Sequence, residues 1–115
     1  GYQRGFKELK PSTKQRFAAL SFDYPEPKQE VEILVNETTI DEDNAKKLVA
    51  IGNKIRNLTE LGLTETVSTR LLVNAAKLIT SGLPKRLSTH IAIVEPLTDD
   101  LQTIQSLKDL CDLMI

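Results

Sequence analysis

The sequence predicts a mainly α protein, a compact bundle of short helices preceded by a short segment of different character. Three observations lead there. From Val31 onward apolar residues recur at three- and four-residue spacing, the period of amphipathic helices. Cap and turn residues cut that pattern into pieces of about a dozen residues with short joints. The apolar fraction, 40%, is almost wholly aliphatic, with no Trp, three Phe and two Tyr, which suits packed helices.

The elements follow in order. Gly1 and Gly5 around Tyr2, Gln3 and Arg4 suggest an irregular loop, and Pro11-Ser12 can start a short helix through Phe17 and Ala19. Leu20, Phe22 and Tyr24 then alternate with Ser21 and Asp23, the period of a strand. A single strand has nothing to pair with here, so it reads as the edge of a larger sheet and the chain as part of a longer protein. Pro25 and Pro27 suit a first helical turn, with Val31, Leu34 and Val35 on one face. Asp41 can cap a helix carrying Ala45, Leu48, Val49, Gly52 and Ile55 inward. Thr64 can open the next, with Val67, Leu71, Leu72, Ala75 and Ile79 inward and Gly82 closing it. Leu83, Leu87, Ile91 and Val94 form a further stripe stopped by Pro96. Thr98 is expected to cap the last helix, with Leu101, Ile104, Leu107, Cys111 and Met114 inward. No internal repeat is present.

Charge divides the chain near Pro25. Arg4, Lys7, Lys10, Lys14 and Arg16 face only Glu8 in the first twenty residues, whereas residues 21–45 hold Lys28 against eight carboxylates. The net charge of −1 gives no global pull toward nucleic acid. Only Tyr2 and Phe6 interleave with the basic residues, so no nucleic-acid partner is expected. The longest apolar runs, such as Ile91 to Val94, are too short for a membrane span or a signal sequence. One cysteine, Cys111, precludes an internal disulfide and fits a reducing cytoplasm. One histidine, His90, and one cysteine are too few for a zinc site, so no metal ligands are assigned. His90 is expected at the surface or half-buried. Asp41, Glu42 and Asp43, like Asp99 and Asp100, read as acidic helix starts favoured by the helix dipole. The sequence has neither a GxxxxGK[ST] loop nor GxGxxG, so the chain alone is not expected to be a catalyst.

Three stretches together, GYQRGFKELKPSTKQRFAALSFDYP, ETVSTRLLVNAAKLITSGLP and AIVEPLTDD, resemble the C-terminal region of the CbbQ/NirQ/NorQ proteins of the MoxR branch of AAA+ ATPases. Residues 26–60 match more in pattern than in words. The resemblance implies that residues 1–24 are a C-terminal remnant of the α/β ATPase core and residues 25–115 its helical lid. It implies a parent protein that works as a homo-hexamer, with ATP and Mg2+ as cofactors, beside a partner containing a von Willebrand factor A domain. The target would be a metalloenzyme of the Rubisco or nitric oxide reductase type. No tightly bound cofactor is expected on this chain by itself.

The resemblance also assigns two arginines. Arg16, in KQRF, matches the arginine finger that reaches the neighbouring subunit's site, where a fixed guanidinium stabilises charge on the transferring phosphoryl group. Arg70, in VSTRLL, matches the sensor 2 arginine that contacts the γ-phosphate in its own subunit. The bland alternative for each is a helix-surface charge. For the whole chain the alternative is a freestanding helical interaction module that regulates a partner without nucleotide.

Overall fold

Helices form where the sequence supplies both a cap and an apolar stripe. The computed structural model describes residues 24–58 and 66–115. Among these residues lie five α-helices: α1 (Pro27–Thr38), α2 (Glu42–Arg56), α3 (Thr69–Thr80), α4 (Lys85–Thr89) and α5 (Leu101–Met114). A π turn (His90–Val94) and a 3-10 turn (Glu95–Leu97) join α4 to α5. No strand occurs among the described residues. The expected loop at Gly1 to Gly5, the helix from Pro11 and the strand from Leu20 lie outside them, except for Tyr24, which is in non-helical chain before α1.

Pro27 takes the first position of α1, where its missing N–H costs nothing. The helix ends at Thr38, whose hydroxyl donates to Leu34 O (2.8 Å) and accepts from Ile40 N–H (3.2 Å). Asp41 caps α2 as expected, its carboxylate accepting from Asn44 N–H at 3.0 Å. The stripe Ala45, Leu48, Val49, Gly52 and Ile55 is buried, together with Ile51. A Cβ at Gly52 would stand 3.0 Å from Leu72 Cδ1, so the glycine is what lets α2 and α3 approach closely.

Three expectations need correction. The helix α3 starts at Thr69 under a Ser68 cap, not at Thr64, which lies outside the described residues. Val67 is fully buried but precedes the helix. At its far end Gly82 does close α3: φ is +109°, its N–H reaches Ile79 O (3.1 Å), and Leu83 N–H reaches Leu78 O (3.1 Å).

The second correction concerns the stripe Leu83, Leu87, Ile91 and Val94. Leu87 and Ile91 are 45% and 40% exposed, while Ser88, Thr89, Ala92, Ile93 and Val94 are buried. The cause is the π turn, in which Glu95 N–H bonds to His90 O. One extra residue per turn rotates the following face by about 100°, so a 3.6-residue pattern drawn through it fails. The buried hydroxyls are satisfied by their own helix, Ser88 Oγ to Pro84 O (2.9 Å) and Thr89 Oγ1 to Arg86 O (2.8 Å).

Thirdly, Asp100 rather than Thr98 caps α5, accepting from Thr103 N–H at 2.8 Å. Thr98 sits two residues earlier, its hydroxyl accepting from Asp100 N–H at 3.1 Å. Leu101, expected inward, is 80% exposed at the helix start, whereas Leu107 and Cys111 are buried.

The helix α1 packs on α2 and α3, α3 on the π turn, and α5 on α2 and the π turn. Between them Leu34, Leu48, Ile55, Leu72, Ile93 and Leu97 are among the side chains forming one aliphatic core, as the composition predicted. No helix of the described residues is long and apolar enough to cross a membrane.

Candidate functional site

The two arginines singled out by sequence fare differently. Arg16 lies outside the described residues. Arg70 is the second residue of α3 and exposed. Among the described residues no carboxylate forms an ion pair with it.

What surrounds the base of Arg70 was not anticipated. Glu30, on α1, is fully buried. Its two oxygens meet the guanidinium of Arg56 at the end of α2, Nη1 to Oε1 at 2.9 Å and Nη2 to Oε2 at 2.7 Å. The Arg56 side chain is only 5% exposed. This is the parallel two-bond geometry that lets an arginine and a carboxylate compensate each other away from water. Nη1 also reaches Asn53 Oδ1 (3.0 Å), and Nε donates to Val67 O (2.8 Å). The Tyr24 ring covers one face of the guanidinium, 3.8 Å from Cζ to the ring centroid.

The same cluster anchors three of the four residues that lead into Arg70. The Thr66 hydroxyl pairs with the Tyr24 hydroxyl. Val67 gives its carbonyl to Arg56, and Ser68 Oγ accepts from Leu71 N–H at 3.4 Å. Thr69 Oγ1 donates to Glu30 Oε2 at 2.8 Å. Thr66, Val67 and Thr69 are thus tied to the cluster immediately before Arg70, and Ser68 between them caps the helix. Arg70 follows directly on that stretch and is exposed on the first turn of a helix, the end whose dipole favours an anion. The sequence has no GxxxxGK[ST] or GxGxxG loop beside it to cradle a nucleotide's phosphates.

Sequence reasoning counted Glu30 only as one of many acids. A usable signal existed: Glu30, Leu34 and Thr38 are spaced four apart, so a helix that buries Leu34 turns Glu30 inward with it. Arg56 follows the buried Ile55 and carries no comparable mark.

His90 Nε2 meets Asp112 Oδ1 at 2.8 Å, joining the π turn to α5, with 20% of the His90 side chain exposed. Burial pushes the Cys111 thiol up to about 11, against a smaller lowering by the Thr89 hydroxyl, so it is a packed hydrophobe and not a nucleophile. Among the described residues no group of His, Cys, Asp and Glu is arranged to hold a metal ion.

The geometry can be set beside known proteins. The CbbQ/NirQ/NorQ C-terminal family matches residues 30–114, from the buried Glu30 to the end of α5. The denitrification regulatory protein NirQ of Pseudomonas aeruginosa is 48% identical over 115 residues, covering 100% of this chain and 44% of the relative. Protein NorQ of Paracoccus denitrificans is 48% identical over 110 residues, 96% of this chain and 41% of the relative. Protein CbbQ of Hydrogenophilus thermoluteolus is 50% identical over 100 residues, 87% of this chain and 38% of the relative. The chain spans about two-fifths of the length of these relatives. The match runs through every helix of the bundle, and the chain belongs to the CbbQ/NirQ/NorQ C-terminal family.

Proposed function

We propose that this chain is the helical lid, with the adjoining end of the ATPase core, of an AAA+ ATPase that activates a metalloenzyme of the Rubisco or nitric oxide reductase type. In this reading residues 25–115 form the lid and residues 1–24 the end of the core. The phosphate loop belongs to the portion of the relatives that this chain does not span, and the chain alone holds ATP and Mg2+ weakly or not at all. Arg70 contacts the γ-phosphate within its own subunit, and Arg16 reaches the site of the next subunit in a hexameric cytoplasmic ring. A partner carrying a von Willebrand factor A domain conveys the effect to the target enzyme. The family membership supports the class of protein. The observation that carries the lid role is local: an exposed arginine on the first turn of α3, preceded by Thr66, Val67 and Thr69, all held by the cluster.

The test uses the full-length protein. Arg16→Ala is expected to abolish ATP hydrolysis while largely sparing nucleotide binding. Arg70→Ala is expected to weaken the distinction between ATP and ADP. Unchanged turnover in the Arg16→Ala ring would remove the finger assignment. If neither substitution alters nucleotide handling, the chain is a helical interaction module and not a nucleotide lid.

A further inference from the structure

We propose that Arg56 and Thr69 are positioning residues for Arg70, acting through the buried carboxylate of Glu30. The inference rests on the γ-phosphate role of Arg70 and adds what aims it. Burying Glu30 and Arg56 is costly, and an apolar pair of similar volume would serve the core equally well. What an apolar pair lacks is direction. The Arg56 guanidinium has its edges committed to Glu30 on α1, Asn53 on α2 and the Val67 carbonyl, with one face under Tyr24. Its plane is therefore fixed by two helices and by two stretches of non-helical chain.

Glu30 transmits that fixed geometry. The oxygen that receives Arg56 Nη2 at 2.7 Å also accepts the Thr69 hydroxyl at 2.8 Å. Thr69 is the first residue of α3 and Arg70 the second. Tyr24, the first described residue, meets the cluster twice, through its ring on Arg56 and its hydroxyl at Thr66. A displacement of the chain at Tyr24 thus reaches the first turn of α3 through one hydrogen-bonded unit. The structure offers a physical link between the connector preceding the bundle and the arginine that reads the phosphate, and the link runs through residues that never touch the nucleotide.

The experiment is a double-mutant cycle in the full-length protein. Thr69→Val removes the hydroxyl with little change in shape, Arg70→Ala removes the reader, and Thr69→Ser restores the hydroxyl. Affinities for ADP and for a non-hydrolysable ATP analogue are measured by titration, with melting temperatures alongside. Thr69→Val is expected to lower the preference for the ATP analogue by about three- to ten-fold, Thr69→Ser to recover it, and Thr69→Val to have no further effect on Arg70→Ala. Arg56→Lys, which keeps the charge but loses the fork, is expected to reproduce the loss. A lower melting temperature with an unchanged preference would show a merely structural role and overturn the inference. So would additive effects of Thr69→Val and Arg70→Ala; both results leave the role of Arg70 standing. If Arg70→Ala itself leaves the preference unchanged, the γ-phosphate role falls and the inference falls with it.

Discussion

Glu30 is the residue on which the arrangement of this bundle turns. Its carboxylate is fully buried and takes three hydrogen bonds, two from Arg56 and one from Thr69. The physics of such pairs is asymmetric. Removing both charges together is mild, but removing one leaves the other buried without compensation. Glu30→Ala is therefore expected to destabilise the protein by about 3–5 kcal/mol, because Arg56 keeps its charge and cannot shed it. Glu30→Leu combined with Arg56→Met is expected to cost much less. Chemical denaturation of the three proteins checks this, and equal losses in the single and double variants would refute it. The exposed pair Lys46 and Glu42, 3.7 Å apart on α2, makes the contrast: both side chains are more than half exposed, so breaking that pair should be barely measurable.

At the scale of elements, the helix starts show what a sequence announces and what it conceals. The start of α2 was legible because Asp41 combines a cap with two further acids, Glu42 and Asp43, in the first turn. The start of α5 was misplaced by two residues because Thr98 and Asp100 are both good caps, and only the fold decides that Thr98 braces the turn and Asp100 ends it. The stripe through Leu87 and Ile91 was lost to the π turn, which breaks the period that makes stripes readable. The clamp around Arg56 was only partly legible: the four-residue spacing marks Glu30 as inward, but Tyr24, Asn53 and Val67 come together with it from separate parts of the chain. The two aspartate caps carry a consequence for acid stability. The Asn44 backbone and side-chain donors hold Asp41 below the ordinary carboxylate value, and the Thr103 hydroxyl and N–H do the same for Asp100. A lowered native value means the stabilisation is present above the ordinary value and is lost as pH falls through the lowered one. Asparagine caps helices comparably but does not titrate. The Asp41→Asn/Asp100→Asn protein is expected to melt close to the parent at neutral pH and to lose less on transfer to about pH 3. Thermal melts at the two pH values decide it, and an identical acid loss in both proteins would count against the caps as the source.

At the scale of the molecule, the question is where the folding unit begins. Every buried apolar side chain among the described residues lies between Leu34 and Cys111, so the core that these residues form falls within residues 25–115. The sequence boundary placed Tyr24 on the other side, with residues 1–24. The structure nevertheless puts the Tyr24 ring on Arg56 and its hydroxyl on Thr66. A cation held against an aromatic face and largely out of water, with one hydroxyl contact beside it, amounts to about 1–3 kcal/mol. Residues 25–115 alone are therefore expected to unfold cooperatively but at lower stability than the 115-residue chain. Tyr24→Ala in the longer chain supplies the comparison. If the helical unit is self-sufficient from residue 25, truncation and substitution should reduce the denaturation free energy by the same amount, because both remove the same ring. A larger loss on truncation would mean that residues 1–23 add stability of their own and that the unit starts earlier. An unfolded 25–115 would mean that the bundle depends on the preceding segment and would refute the expectation.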